Sequence, residues 1–186
     1  MNWIIIAIMG WVALGLDTGL VGALELGHSG ISPSFVVVLA VFVGLAAPPV
    51  QAVWTCLLLG LAVDLLSPLS LTAPQGASAT VVGPYALGYV LMAQFLLAMR
   101  SMLMRHNPLT MAVMAFVGFL IVHVFVSAAY TLRGFYDPIA WDMSAELVRR
   151  LGVAAYTGVV AFPLALVLVP MAPALGMQIG HPKNAR

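Results

Sequence analysis

Gly27-His28-Ser29-Gly30 sets a serine between glycines, the pattern of an intramembrane serine hydrolase, and His123 is the conceivable base. That chemistry needs the serine at a helix start, within hydrogen-bond reach of the histidine. Here Ser29 falls in a short polar stretch between two apolar runs, with no oxyanion-hole donors evident, so a flexible turn is the expected reading. No His-Glu-x-x-His pattern is present for zinc, and no P-loop. The six acids are too few and too spread to build a clustered-carboxylate metal site. The single cysteine, Cys56, lies inside an apolar run and offers neither a disulfide nor a thiolate metal site. The expectation is no catalytic residue, no metal and no cofactor.

The remaining candidates are ionisable residues inside apolar runs: Asp17, Asp64 and His123, with Arg149 and Arg150 near the edge of another. Burying such groups in lipid is costly, so each is a functional candidate, with structural pairing as the competing reading. Of the 186 residues, 63% are hydrophobic and 7% charged, against roughly 25% charged in soluble domains. So few charges cannot cover a soluble surface. The formal net charge of +1, with seven scattered basic residues, excludes a phosphate-binding patch and hence nucleic acid as a partner.

A bilayer core needs roughly 20 apolar residues per helix. On that rule the chain is all-α, one integral membrane domain spanning 1–186, a polytopic bundle of six transmembrane helices at about 3–24, 33–47, 50–66, 78–104, 108–132 and 144–169. The first run has no preceding Lys or Arg and carries Asp17, so it reads as an uncleaved span rather than a signal peptide. Ser32-Pro33 and Asn107-Pro108 are cap and first-turn pairs, while Pro48-Pro49 stops the second span. That second span is short, so it tilts little or stops short of one face. Pro84 kinks the fourth span or marks its true start, and Pro163 bends the sixth, which Pro170 and Pro173 end. Residues 67–77 read as an irregular loop, 137–142 as an interfacial turn with Trp141 at headgroup level, and 170–186 as a tail, polar from Gln178 onward. No internal repeat is visible. With the N-terminus inside, the inner segments hold four basic residues against three outside, a weak bias placing both termini in the cytoplasm.

Depth arithmetic relates the buried charges. Asp17, Asp64 and His123 each lie fourteen residues past the start of an ascending span, at Trp3, Val50 and Leu109. At about 1.5 Å per residue each sits roughly 21 Å up its helix. Arg149 and Arg150, just past Ser144 on a descending span, reach the same level. A polar layer follows, in which at least one of these arginines pairs with Asp17 or Asp64. Small residues suggest packing or partner faces: Gly15, Gly19 and Gly22 on span one, Ala154 and Gly158 on span six.

Leu59-Gly60-Leu61-Ala62-Val63-Asp64-Leu65-Leu66-Ser67 closes one span and precedes a Pro/Gly loop containing Gly76. A span with Gly88-Tyr89 follows, then a basic turn ending in Arg105-His106-Asn107-Pro108. This stretch, about residues 60–120, resembles the bacterial rod shape-determining MreD family. That family has a Gly-Leu-x-x-Asp-Leu-Leu-Ser-like motif before a Gly-containing loop, and a basic cytoplasmic turn ending in Asn-Pro. Two departures stand out: a longer loop over 67–77, and a turn whose arginines are only Arg100 and Arg105.

The resemblance implies a non-catalytic scaffold of the cell-elongation machinery in the bacterial inner membrane. Its partners would be membrane lipid, an MreC-like single-span protein, an MreB-like filament, and a RodA-like polymerase with its transpeptidase. Gly60, Asp64, Gly76, Arg100 and Arg105 would then serve packing or partner contact, with Gly15, Gly19 and Gly22. The family's likeness to vitamin-binding subunits of energy-coupling-factor transporters supplies the alternative, a small-molecule transport component. A membrane enzyme using Ser29 is a distant third.

Overall fold

A computed structural model describes residues 2–27, 29–67, 69–70, 78–103, 107–136 and 143–177. Seven helices follow in order: α1 (Trp3–Gly19), α2 (Val21–Leu24), α3 (Phe35–Ala46), α4 (Pro49–Leu66), α5 (Pro84–Met99), α6 (Pro108–Arg133) and α7 (Met143–Met171). Three of them, Pro49–Leu66, Pro108–Arg133 and Glu146–Met171 within α7, are long and apolar enough to cross a membrane. The chain is therefore all-helical in its architecture and carries membrane-spanning capacity. Its only extended pairing among the described residues is a two-residue antiparallel ladder, β1 (Leu69–Ser70) with β2 (Ser78–Ala79), in the loop expected to be irregular.

Prolines set several helix starts. Pro49, Pro84 and Pro108 each occupy the first helical turn, where a missing N–H costs nothing. Asn107 caps α6 by accepting from the Leu109 amide at 2.9 Å, as its sequence predicts. The cap of α3 differs from expectation: Ser34, not Ser32, takes the role, accepting from the Val37 amide at 3.3 Å. Helix α5 begins at Pro84 rather than near residue 78, because Ser78 and Ala79 belong to the ladder and Gly83 turns the chain at φ 129°. That left-handed conformation favours glycine. At the far end, α7 continues through Pro163 and Pro170 to Met171. Beyond it, Ala172, Leu175 and Met177 are buried, so the described part of the tail folds back, with the Asn2 amide donating to the Leu175 carbonyl. Residues 178–186 and 137–142 lie outside the described residues.

The centre of the bundle is α3. Every residue from Val36 to Ala46 is buried, and the helix packs on α1, α4, α5, α6 and α7. A helix apolar on all sides belongs in a core. That accounts for its shortness, because a helix enclosed by others need not match the bilayer by itself. Around it, glycines let helices approach closely. A Cβ on Gly60 would lie 2.7 Å from both the Ala86 Cα and the Tyr85 carbonyl oxygen of α5. Gly158 of α7 sits on the Phe116 side chain of α6, with Ala154 buried beside it. Gly15, Gly19 and Gly22 are different: all three are exposed, and a Cβ built on any of them meets nothing within 4 Å.

This contrast predicts opposite outcomes for one added methyl group. Gly60→Ala forces backbone against backbone and lowers stability by about 1–3 kcal/mol, whereas Gly15→Ala stays within about 0.5 kcal/mol of the parent. Reversible unfolding in mixed micelles measures both.

Candidate functional site

The polar residues singled out by sequence gather toward one end of the bundle, where α1, α4 and α6 finish and α3, α5 and α7 begin. Asp17, in the last turn of α1, faces the start of α3. Its Oδ1 accepts from the Phe35 amide at 2.5 Å, and its Oδ2 accepts from the Ser34 hydroxyl at 2.7 Å and the Val36 amide at 3.4 Å. The Ser34 amide donates to Thr157 Oγ1 of α7 at 3.0 Å, and Thr157 is fully buried. The first turn of α3 is thus satisfied without water.

Asp64, in the last turn of α4, repeats the arrangement on α5. Its Oδ2 accepts from the Gly83 amide at 2.9 Å and the Ala86 amide at 3.0 Å, while Oδ1 accepts from the Tyr85 amide at 2.9 Å. Asp64 is buried. A carboxylate at a helix N-terminus both fills orphan N–H groups and meets the positive end of the helix dipole.

Helix α6 offers His123 in place of an acid. Arg150 of α7 lies with Nη1 3.1 Å from His123 Nδ1 and Nε 3.0 Å from Glu146 Oε1. Its guanidinium carbon is 5.9 Å from the Tyr85 ring centre and 6.0 Å from that of Tyr130, within cation–π range. His123 also stacks on Phe119, with ring centres 4.0 Å apart. Arg149 is exposed; it pairs with Glu146 and donates to the Gly30 carbonyl at 3.3 Å.

The polar layer therefore assembles with different partners from those expected. Among the described residues, the ion pairs of Arg149 and Arg150 run to Glu146, not to Asp17 or Asp64. The two aspartates are occupied by backbone amides, and depth alone could not tell which way they face. Glu146 was missed, although its spacing of three and four residues from the two arginines places all three on one helix face. Ser34, Thr157, Tyr85 and Tyr130 carried no distinguishing sequence signal.

Arg100, expected at a partner or packing face, has a defined packing role at the opposite end of the bundle. Its guanidinium donates to the Gly44 carbonyl, at 2.8 Å through Nε, and to the Ala47 carbonyl. Both carbonyls belong to the C-terminal end of α3. Ser29 lies in the exposed loop after α2, where its hydroxyl donates to the Leu26 carbonyl at 2.5 Å. It makes no hydrogen bond to His123, whose Nδ1 faces Arg150. His28, Gly76 and Arg105 lie outside the described residues.

The two carboxylates generate a ranked expectation. Asp64→Asn and Asp17→Asn each turn an amide N–H toward backbone donors and lower stability by about 1–3 kcal/mol. Arg149→Ala removes an exposed pair and costs about 1 kcal/mol or less. Thermal unfolding in detergent, with the three variants side by side, checks the order. Searches against family models, curated proteins and solved structures find no match to this chain.

Proposed function

We propose that this protein is a non-catalytic scaffold of the bacterial cell-elongation machinery, a six-span inner-membrane bundle with both termini in the cytoplasm. In this reading α1, α3 and α5 cross the membrane together with the three longer helices. At about 1.5 Å per residue the 17 residues of α1 reach roughly 26 Å and the 16 of α5 roughly 24 Å, near the thickness of a bilayer core. The 12-residue α3 covers about 18 Å and depends on its neighbours for the rest.

The observation that carries the reading is the state of α1. Its main helical neighbour is α3, and its glycine stripe faces open space. Open apolar grooves of about 200 Å³ flank it on both sides. One runs beside Trp3, Gly10 and Trp11 against α4; the other runs past Val12 and Leu16 toward Leu164 and Leu168 of α7. Small residues with nothing packed on them allow a second helix to approach closely, which is how membrane helices associate. The partner that fits is a single-span protein of the MreC kind, with the filament, polymerase and transpeptidase partners following from the family resemblance. The Gly60 and Asp64 positions of the resembling motif support the same reading, since both hold α4 against α5. A transport subunit would instead present convergent polar groups in a pocket, and the grooves beside α1 are apolar.

Combining Gly15→Leu with Gly19→Leu fills the open stripe without touching the bundle. In a rod-shaped host, the variant is expected to accumulate and fold normally, to stop co-purifying with its single-span partner, and to round the cells as depletion does. Cells that keep their shape and the partner contradict the scaffold reading. Loss of one vitamin's uptake with shape unchanged points to transport.

A further inference from the structure

Helix α1 is held unevenly along its length. In lipid no hydrophobic force drives helices together, so a helix keeps its place through close packing and hydrogen bonds. Within α1 only Ile6, Gly10 and Ala13 are buried, at spacings that trace one narrow seam. Helix α3, by comparison, is buried at every position from Val36 to Ala46. The main neighbour of α1 is α3, and α4 is reached at Gly10, where an added Cβ would lie 3.3 Å from Leu59 Cδ2. On either side of the seam the packing is open. Trp3, Ala7 and Trp11 line the groove toward α4, while Ile8, Val12 and Leu16 line the one toward α7.

The two ends of α1 are tied by different chemistry. At one end the Asp17 carboxylate accepts three hydrogen bonds from Ser34, Phe35 and Val36 at the start of α3. A charged acceptor makes these stronger than neutral bonds. At the other end, among the described residues, one neutral bond crosses to another element. The Asn2 amide donates to the Leu175 carbonyl at 3.3 Å, longer than the common range. Leu175 belongs to a turn that follows α7 and is itself well anchored. Ala172, Leu175 and Met177 are buried, and the Met177 amide donates to the Ala172 carbonyl at 3.0 Å. The turn is therefore part of the bundle, whereas Trp3 and Ile4 beside it on α1 are exposed.

A segment with few buried contacts opens locally at lower free energy than the core. We propose that α1 pivots about Asp17, its Asn2 end swinging away from the bundle, with the buried turn at Leu175 as the clasp that holds it closed. The open form widens both grooves at the Asn2 end, and a molecule that fits the wider groove shifts the population toward it. The pivot belongs to the chain by itself and does not depend on the scaffold reading.

Pulsed electron-spin distance measurements on the full chain in lipid nanodiscs test it. Nitroxide labels are placed on cysteine pairs at exposed positions in a Cys56→Ala background. Ile4→Cys with Leu109→Cys reads the Asn2 end, and Thr18→Cys with Leu132→Cys reads the Asp17 end. Val50→Cys with Leu109→Cys is the control between α4 and α6. The Ile4 pair is expected to show a second component at longer distance, while the Thr18 pair and the control each give one narrow distribution. An Ile4 pair no wider than the control overturns the pivot without any destabilising variant. A Thr18 pair that widens as much as the Ile4 pair means that α1 leaves as a whole, and overturns the hinge at Asp17. The clasp is tested by Asn2→Pro, which removes the amide donor, beside Asn2→Ala, which removes only the side-chain cap on Ile4. The longer component of the Ile4 pair is expected to grow in Asn2→Pro relative to Asn2→Ala. Equal populations in the two variants overturn the role of Leu175.

Discussion

Helix α3 is enclosed by five other helices, so both of its ends must be satisfied by protein groups. An α-helix leaves four N–H groups unpaired at its start and four carbonyls at its end, and in an apolar surrounding each unpaired group costs free energy. The rest of the bundle is arranged around that requirement. Asp17 of α1 and Ser34 take the amides of Phe35, Val36 and Val37. Arg100, just after α5, takes the carbonyls of Gly44 and Ala47. An anion stands at the positive end of the helix and a cation at the negative end, the favourable sense at both. Hydrogen bonds to charged groups contribute about 1.5–3 kcal/mol each, more than neutral ones. The same contacts offset the cost of partly burying a carboxylate and a guanidinium.

The device recurs along the chain. Three helices each deliver a polar side chain to the first turns of the helix packed next in the chain: Asp17 to α3, Asp64 to α5, and His123 to Arg150 of α7. Three hairpins therefore share one architectural rule without sharing a sequence. In the third, the acceptor is an imidazole and the donor is a side chain, and Glu146 neutralises the arginine that this brings inside. Tyr85 joins the second hairpin to the third, its amide on Asp64 and its ring beside Arg150. In the first two hairpins the polar group closes a helix start, and in the third it pairs a buried ring with a buried arginine.

Part of this is legible in the sequence. Pro49, Pro84 and Asn107-Pro108 mark helix starts because their local chemistry allows little else, and helical rise places Asp17, Asp64 and His123 at similar distances from the starts of their helices. What depth cannot supply is azimuth. An aspartate one turn below a helix end meets either a guanidinium or a row of amides, according to a rotation that no spacing rule fixes. The same ambiguity governs the glycines: Gly60 faces Ala86 while Gly15 faces open space, although both read as small residues on apolar helices. Arg100 read as part of a basic turn because its acceptors, Gly44 and Ala47, lie more than fifty residues earlier in the chain. Glu146 is the one omission that local spacing was sufficient to prevent.

The outer helix α1 is held mainly through α3, beside a core helix whose ends are closed by charged groups, and its glycines face open space. The account rests on the carboxylates accepting from the first amides of α3 and α5, and amide hydrogen exchange reads those bonds directly. First-turn amides of a helix ordinarily lack intrahelical partners and exchange readily. With the protein in lipid nanodiscs, the amides of Phe35, Val36, Tyr85 and Ala86 are predicted to exchange as slowly as those in the middle of α3. In Asp17→Leu, protection should be lost at Phe35 and Val36 while Tyr85 and Ala86 keep theirs. Exchange of these four amides at the rate of the exposed loop around Ser29 in the wild type would contradict the account.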